Sequence, residues 1–521
     1  MIKRIPPPLP SVLMLGTVSQ IGQVLLFREL LMIFHGNEIS IGLILSAWLV
    51  WVGTGSRLGT FLVERLNRPI SLLILSAVGV LLLLPLTILT IRVLRGFFEV
   101  LPGAYLSLPD MLISCLLLMA PVCLLLGAQF VLLSRIWRES KSVEDTSCGG
   151  KAYVGEAVGN MLGGILFTFL MVHHLNSFQS SILAGTLMVA AVLLMGRKGD
   201  RGISYLSKWH RHILWGVLGL AILTFPFLVR LDRWAYLLQW RFFSPYHRLV
   251  ETVQSKYGTI SIVQREDQYS FFQSGFLVFT SAGEETVRAG FEEQEAATFA
   301  HLSMVQHRKP ERILLIGGGL RGTLTEIAKH PVKMIDYIEL DEVLTEAARS
   351  YISPATLETL ADPRVHLIHT DGRLFVKTAK EKYDMIIIDV PDPSTAVLNR
   401  YYTKEFFLES KSLLNSDGVL VIGATSTPDL RGNSVANRNT TIYHTLKSVF
   451  AHVLPVGERF MFFFATETEG QISAEIPALQ KRFLDRNIKT EGFTHHHYHT
   501  LLQKAQLRRV NWVVRNHGRS R

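Results

Sequence analysis

The chain has little charge and little cysteine for its length. Of its 521 residues, 18% are Asp, Glu, Lys or Arg and 48% are hydrophobic, whereas soluble domains carry about a quarter charged residues. Its three cysteines, Cys115, Cys123 and Cys148, are too few for a disulfide framework and lack a zinc-binding spacing. These shortages exclude a disordered, fibrous or disulfide-stapled protein, and they indicate a membrane protein with more than one domain.

The positive charge is concentrated in the first half. Residues 1–235 hold 19 Lys and Arg against 11 Asp and Glu, whereas the remaining residues hold 34 against 32. Basic residues around apolar runs are typical of a membrane topology signal, not of a nucleic-acid-binding face. We therefore predict no nucleic-acid partner.

Seven long apolar runs predict membrane-spanning helices. Most have the roughly 20 residues needed to cross a bilayer, and the last is marginal. The first run is not expected to be a cleaved signal peptide, because it is long, lacks a small-residue cleavage site and precedes further runs. The lipid bilayer is thus a predicted partner and the inner cell membrane the predicted location. The runs cover residues 11–34, 41–63, 70–91, 111–134, 152–172, 178–196 and 213–229.

Several polar residues fall inside or beside these runs. Ionisable groups in lipid usually face the bundle interior or pair with one another. Glu156 lies among Gly155, Gly159, Gly163 and Gly164, a pattern that fits either a polar pocket or close helix packing through small residues. The other polar residues are Arg28, Glu29, Glu38, Arg57, Asn160, His173 and His174.

The pattern changes from about residue 250. Thr259–Gln264 and Ser270–Thr280 alternate as strands of a small antiparallel sheet. After residue 291, strands and helices alternate, which predicts a doubly wound parallel sheet. The strands are predicted over Arg312–Ile316, Met334–Leu340, Val365–His369, Asp384–Val390 and Gly418–Gly423.

The predicted fold class is an α-helical polytopic membrane domain plus an α/β doubly wound, Rossmann-like methyltransferase domain with a small antiparallel β segment. The predicted boundaries are residues 1–232 for the transmembrane helical domain, with about seven spans, and 233–290 for a linker and small β domain. Residues 291–521 form the nucleoside-binding domain, with a basic, solvated tail from Lys504.

Glycines and acids follow successive predicted strands. Gly317–Gly319 follow the first strand, Glu339 ends the second, Asp371 and Gly372 follow the third, and the fourth ends in Asp389–Pro393. Ligands bind at such carboxyl ends, where glycines allow close approach and a carboxylate can hold ribose hydroxyls. Since no Lys-Ser/Thr pair follows the glycines, the turn is not a phosphate-binding P-loop. The acidic pocket suits an S-adenosyl sulfonium compound.

These motifs resemble the spermidine synthase (polyamine aminopropyltransferase) family. The resemblance covers residues 250–465, and the long apolar half matches membrane-fused members of that family. It rests on Ile313–Gly319, Glu339–Asp341, Asp371–Gly372, Tyr383–Pro393 and Leu398–Phe407, the last of which resembles the segment that closes the family's active site.

The resemblance implies a transferase that moves an aminopropyl group from decarboxylated S-adenosylmethionine to an amine or polyamine. It implies a co-substrate instead of a permanently bound cofactor, no metal, and possible homo-oligomers through the soluble domain. An alkylammonium must lose a proton before it attacks carbon, which a nearby carboxylate can promote. The implied donor-binding residues are Gly317, Gly319, Glu339 for the ribose, Asp371 for the adenine amino group, and Gly372; Asp389 is the implied catalytic residue, and Asp392, Tyr401 and Tyr402 would bind the acceptor.

The chain departs from the family pattern in the other half of the pocket. Leu320 and Arg321 stand where the family has an aspartate, Glu295–Ala297 replace Tyr-His-Glu, and Phe279–Ser281 replace Leu-Asp-Gly. Arg321 suits a carboxylate such as that of S-adenosylmethionine. Two alternatives therefore stay open: an S-adenosylmethionine-dependent methyltransferase, and a non-catalytic transporter or sensor that binds polyamine or nucleoside.

The loop charges conflict with a cytosolic donor. Loops on the N-terminal side hold fourteen cations, whereas the opposite short loops hold Arg92 and Arg95. The positive-inside rule then places the N-terminus in the cytoplasm and, after seven spans, the C-terminal half outside. Because S-adenosyl donors are made in the cytosol, we predict a cytoplasmic catalytic domain, with the run 213–229 re-entrant or interfacial.

Overall fold

The computed structural model describes residues 8–34, 38–98, 106–140, 148–195, 206–244, 246–281, 293–427, 432–457, 460–490 and 492–517. The chain forms two compact units. One contains residues 1–261 and 273–276, and the other contains residues 262–272 and 277–521. The division between them falls within the small β-sheet.

The first unit is a bundle of helices. Among the described residues, seven helical segments are long and apolar enough to span a membrane. The last, Lys208–Phe243, consists of α7 and α8 joined by one 3-10 turn at Phe225–Phe227. The segment is helical throughout and is long and apolar enough to span, which favours a seventh span over the re-entrant or interfacial alternative for run 213–229. The helices are α1 (Pro8–Phe34), α2 (Glu38–Leu66), α3 (Pro69–Val93), α4 (Leu108–Ser140), α5 (Cys148–Leu166), α6 (Ser177–Leu194), α7 (Lys208–Thr224) and α8 (Leu228–Phe243).

Contacts within the bundle fix the helix directions. Gly159 of α5 lies against Leu13 of α1, and Gly163, about one turn later, lies against Thr17, so α1 and α5 run parallel. Residues later in α2 likewise contact residues later in α4, and residues later in α1 contact residues later in α3, so each of these pairs also runs parallel. Residues later in α6 contact residues earlier in α3, so these two helices run antiparallel. The helices thus alternate in direction.

The last helix ends at the opposite end of the bundle from the start of α1. Arg92, near the end of α3, binds Asp232 in α8, and Gly96 beyond α3 lies against Phe242. Residue numbers rise together, so α8 runs parallel to α3 and α1. The chain thus enters the bundle at one end, at the start of α1, and leaves it at the other end, after α8.

A buried charge cluster lies near the end of α3. The Arg92 guanidinium donates to both carboxylate oxygens of Glu29, at 3.0 and 2.9 Å, and lies 2.8 Å from Asp232. It also stacks 3.8 Å from the centre of the Tyr236 ring. The expectation that an ionisable residue in a span pairs internally is confirmed for Glu29.

Four strands form a small sheet in the order β1-β2-β3-β4. The prediction of one continuous strand over Ser270–Thr280 is wrong. Ser274 and Gly275 have φ angles of 49° and 81°, a pair of left-handed residues that makes a tight two-residue turn. The strands are β1 (Arg248–Ser255), β2 (Gly258–Arg265), β3 (Gln268–Gln273) and β4 (Phe276–Ser281).

A seven-stranded sheet organises the second unit, with the order β10-β11-β9-β8-β5-β6-β7. Strands β5 to β9 pair in parallel, as predicted. The prediction of a wholly parallel sheet is wrong for the last two strands, which pair antiparallel because only two residues separate them. The strands are β5 (Arg312–Ile316), β6 (Met334–Glu339), β7 (Val365–His369), β8 (Tyr383–Ile388), β9 (Leu414–Thr425), β10 (His452–Gly457) and β11 (Phe460–Thr466).

Helices cover both faces of this sheet, which is the predicted doubly wound, Rossmann-like arrangement. Alternate strand residues enter two separate apolar clusters, with Ile316 and Ile388 on one face and Leu315 and Ile387 on the other. The helices are α9 (Glu293–Met304), α10 (Thr323–Ala328), α11 (Glu342–Ala348), α12 (Pro354–Leu360), α13 (Gly372–Thr378), α14 (Ala396–Asn399), α15 (Lys404–Ser412), α16 (Asn433–Lys447), α17 (Ile476–Asp485), α18 (His497–Leu501) and α19 (Lys504–Asn516).

The basic tail is not simply solvated. Residues Lys504–Asn516 form α19, and its Val510 and Val514 are buried in one of the two apolar clusters. Apolar residues four apart lie on one side of a helix, so this segment docks through one face while its charges occupy the other. The prediction of a solvated segment is therefore wrong for these residues.

Candidate active site

The carboxyl ends of four neighbouring strands bring the predicted residues together. Ile316 of β5 pairs with Ile338 of β6 and Ile388 of β8, so Gly317, Glu339 and Asp389 follow at adjacent positions. The Gly317 N–H donates to the Ile338 carbonyl at 3.0 Å, and the Asp389 N–H donates to the Ile316 carbonyl at 2.9 Å. Such an edge is where doubly wound sheets bind ligands.

The glycine turn after β5 packs directly on its neighbours. Gly317 and Gly318 have φ angles of 73° and 69°, which side chains rarely tolerate. A Cβ atom on Gly318 would overlap the Asp389 carboxylate, and one on Gly319 would overlap the Tyr337 ring. The sequence prediction included Gly317 and Gly319 but missed Gly318, which admits the Asp389 side chain.

Glu339, the predicted ribose ligand, ends β6. The Tyr337 hydroxyl donates to one carboxylate oxygen at 2.8 Å, and the Leu340 N–H donates to the other at 2.9 Å. Loss of surrounding water raises the pKa of the Glu339 carboxyl, and burial raises the pKa of Tyr337. Each oxygen retains accepting capacity for a hydroxyl. Sequence reasoning missed Tyr337, although its position two residues before Glu339 puts both on one face of the strand.

Asp371, the predicted adenine ligand, caps α13. One of its oxygens accepts from the N–H groups of Arg373 and Leu374 at 2.9 and 3.1 Å, and the other lies 2.6 Å from an Arg400 nitrogen. Burial alone would lower the pKa of Arg400, but Tyr401 and Asp371 raise it overall. The sequence prediction did not include Arg400.

Gly372 and Tyr401 lie together beside this cap. A Cβ atom on Gly372 would come 3.1 Å from the Tyr401 hydroxyl oxygen. Burial raises the pKa of the Tyr401 hydroxyl. The two residues, predicted separately as donor and acceptor ligands, are thus neighbours in the fold.

Asp389, the predicted catalytic carboxylate, is bound by Arg321. Nε of Arg321 donates to one oxygen at 2.9 Å, and Nη2 donates to the other. The Thr323 hydroxyl adds a third donor at 2.8 Å. The Asp389 side chain is 6% exposed, so two charge-assisted hydrogen bonds hold it in place.

Asp392 and Tyr402 connect the segment after β8 to β9. Asp392 accepts from the Thr425 N–H at 2.8 Å and lies 2.8 Å from Arg438 of α16. The Tyr402 hydroxyl donates to the Gly423 carbonyl at 3.0 Å, and burial raises its pKa. Nothing in the sequence pattern had indicated Arg438.

Most of the positions that depart from the family pattern line one cavity. This cavity has a volume of about 230 Å³ and contacts Phe279–Ser281, Glu295, Ala296, Leu320 and Arg321. Sequence positions more than 40 residues apart thus meet at one place. We call this space the Arg321 cavity.

Comparison with known proteins identifies the family. The profile of the Spermine/spermidine synthase domain matches residues 292–473. A polyamine aminopropyltransferase from Saccharolobus solfataricus is 31% identical over 227 residues, which cover 42% of this chain and 71% of the relative. Those from Korarchaeum cryptofilum and Methanocaldococcus jannaschii are 31% and 35% identical, over 36% and 30% of this chain. The chain spans 59% and 51% of the lengths of these two relatives.

Solved structures of similar proteins include spermidine synthases. One from Thermotoga maritima is 23% identical, with a TM-score of 0.40 over 51% of this chain and 88% of its own. Another, in complex with the transition state analogue AdoDATO, is 23% identical, with a TM-score of 0.41 over 51% of this chain and 89% of its own. The parallel strands and the helices on both faces of the sheet give the second unit a Rossmann-like fold. The chain belongs to the spermine/spermidine synthase family of polyamine aminopropyltransferases.

Proposed function

We propose that this protein is a membrane-embedded aminopropyltransferase that moves an aminopropyl group from decarboxylated S-adenosylmethionine to an amine. The observation that carries the proposal is the meeting of Glu339, Asp371 and Asp389 beside the Gly317 turn, at one edge of the parallel strands. Family membership supports the same chemistry. The seven apolar helical segments support a multi-pass membrane location.

The proposed reaction is a displacement at carbon. The acceptor nitrogen, once deprotonated, forms a bond to the aminopropyl carbon attached to sulfur. The carbon–sulfur bond breaks and its electron pair stays on sulfur, leaving neutral 5′-methylthioadenosine and a secondary ammonium product. Glu339 would hold the ribose and Asp371 the adenine, while Asp389 orients the acceptor and takes its proton.

Methyl transfer from S-adenosylmethionine has less support. It rests on Arg321 as a partner for the donor carboxylate, whereas the chain's family and its similar relatives are polyamine aminopropyltransferases. A non-catalytic sensor would give the three convergent acids, Glu339, Asp371 and Asp389, no catalytic role.

The test is a product assay on the purified full-length chain in detergent. We incubate it with decarboxylated or carboxylated donor and a panel of amines. Formation of 5′-methylthioadenosine with the decarboxylated donor is the expected result. S-adenosylhomocysteine would indicate methyl transfer, and donor binding without turnover would indicate a sensor.

Asp389→Asn tests the proposed base. We expect kcat to fall by about a hundredfold or more, because a positioned general base typically contributes that much. The Kd of 5′-methylthioadenosine should change little. Glu346→Gln, which removes a surface acid paired with Arg349, is the matched control, and unchanged turnover in Asp389→Asn would remove this role.

A further inference from the structure

The acceptor side of the site holds as many cations as anions. Asp389 and Asp392, the two predicted acceptor-side carboxylates, are bound by Arg321 and Arg438 respectively. A linear diamine carries two positive charges at neutral pH, and it would enter a site whose charges already cancel. Binding of the distal ammonium to Asp392 would compete with Arg438 for that carboxylate, and loss of a partly buried ion pair is costly.

The Arg321 cavity is lined by hydroxyl groups. The hydroxyl-bearing residues of the lining are Thr280, Ser281, Thr325, Ser353 and Thr356, the last three of which hydrogen-bond one another. Arg321 is the one basic residue among the described residues of the lining. Hydroxyls and a guanidinium are donors suited to oxyanions. At about 230 Å³, the cavity is several times the roughly 30 Å³ of a water molecule, so it accommodates a phosphate or carboxylate.

The acids of this cavity are poorly placed to bind an ammonium. Glu326 is 3% exposed, and its oxygens accept from His301 at 2.9 Å and Lys329 at 2.6 Å. Glu295 is exposed to solvent, where an ion pair contributes little. The cavity therefore offers a cation and hydroxyls to a ligand in preference to a free carboxylate.

Arg321 connects the cavity to the proposed base. Its Nε and Nη2 atoms bind Asp389, and its Nη1 atom has no protein partner among the described residues. A guanidinium has five N–H donors, so donors remain for a second oxyanion while the Asp389 pair persists. An anionic group held there would lie close to the carboxylate that receives the amine.

From this charge arrangement, and resting on the proposed transferase function, we infer that the acceptor is a primary amine that carries its own anionic group. Arg321 binds the phosphate or carboxylate, and Asp389 orients the amine of the same molecule. Such chemistry occurs in soluble aminoalkyl phosphates and ω-amino acids, and also in the head group of an aminophospholipid. Arg321 is then the residue that determines acceptor specificity.

The experiment compares acceptors of matched length. Full-length protein in detergent is saturated with decarboxylated S-adenosylmethionine and supplied with 1,4-diaminobutane, 4-aminobutanoate or O-phosphoethanolamine. A fourth arm uses protein reconstituted in phosphatidylcholine vesicles with or without phosphatidylethanolamine. The variants are Arg321→Gln, Arg321→Lys and the surface control Arg349→Gln, whose parent residue pairs with Glu346. The readout is 5′-methylthioadenosine formation, and lipid modification in the vesicle arm.

We expect kcat/KM for an anionic amine to exceed that for the diamine by roughly tenfold or more, since a charge-assisted hydrogen bond contributes about 1.5–3 kcal/mol. Arg321→Gln should abolish this preference, Arg321→Lys should restore part of it, and Arg349→Gln should leave it unchanged. Turnover only in the phosphatidylethanolamine vesicles identifies the lipid source, and turnover of soluble anionic amines identifies the free source.

A preference for the diamine in the unmodified protein, unaffected by Arg321→Gln, would overturn the inference while leaving the proposed transferase intact. If no acceptor yields 5′-methylthioadenosine, the transferase proposal fails instead. Calorimetric titration of each amine into the complex of the protein with 5′-methylthioadenosine then tests the inferred acceptor preference without requiring turnover. Binding of the diamine tighter than that of both anionic amines would refute it.

Discussion

At the scale of single residues, each acid that was predicted to bind a ligand already has a protein partner. Asp371, Asp389 and Asp392 are bound by Arg400, Arg321 and Arg438, while Glu339 is bound by the Tyr337 hydroxyl and a backbone N–H. Glu339 thus differs from the three aspartates, because its direct partners are neutral.

Replacing Glu339 by Gln should separate binding from stability. The pKa of Glu339 is raised in the folded protein, first by loss of water. A raised pKa means that the folded state favours the protonated carboxyl, so its contribution to stability is present at low pH and is lost as pH rises through that pKa. Glu339→Gln should therefore raise the thermal unfolding temperature at pH 7.5, and the gain should shrink towards pH 4.

The same substitution should weaken nucleoside binding. A neutral amide makes weaker hydrogen bonds to ribose hydroxyls than a carboxylate does, and we expect Kd for 5′-methylthioadenosine to rise roughly tenfold. Calorimetric titration measures this, with the exposed Glu342→Gln as control. A Kd equal to that of the unmodified protein would show that Glu339 does not hold the ribose.

At the scale of elements, glycine decides how closely two helices approach. The Thr17 hydroxyl of α1 donates to the Gly159 carbonyl of α5 at 3.1 Å, a distance that requires the two backbones to touch. Glu156 is half-buried, and its carbonyl oxygen lies against Gly16. Close packing therefore explains the glycine pattern around Glu156.

Two alanine substitutions in α5 test this packing. A Cβ atom on Gly159 would overlap the Leu13 carbonyl, whereas one on Gly164 would meet only a Gln20 side-chain carbon at 3.8 Å. Gly159→Ala should destabilise the protein by about 1–3 kcal/mol through overpacking, while Gly164→Ala should be neutral or slightly stabilising, since alanine favours helix. Thermal unfolding in detergent compares them. Equal effects of both substitutions would contradict the α1–α5 contact.

At the scale of the whole molecule, the alternating helices constrain the topology. The start of α1 and the end of α8 lie at opposite ends of the bundle, so activity reporters fused to the N- and C-termini should mark opposite sides of the membrane. Reporters on the same side would contradict seven spanning segments. Our proposal of a cytoplasmic catalytic unit requires an active cytoplasmic C-terminal reporter, and it makes the fourteen N-terminal-side cations an exception to the positive-inside rule.

The sequence by itself determined the elements that depend on local pattern. Apolar runs near 20 residues must be helices in lipid, because no other open segment satisfies its backbone there. Buried parallel strands are short apolar runs, and their carboxyl ends carried the glycines and acids of the predicted site. Arg312–Ile316 and Val365–His369 were predicted to the residue.

Only the tertiary structure decided which distant groups meet. Arg438 reaches Asp392 across 46 residues, and Arg400 reaches Asp371 across 29, and neither arginine lies in a motif that local periodicity would reveal. The antiparallel pairing of β11 with β9 also depends on the partner strand that β11 finds in the sheet. The charge balance at the acceptor side follows from such contacts, because the net charge of a site is the sum of the charges of the side chains that folding brings together.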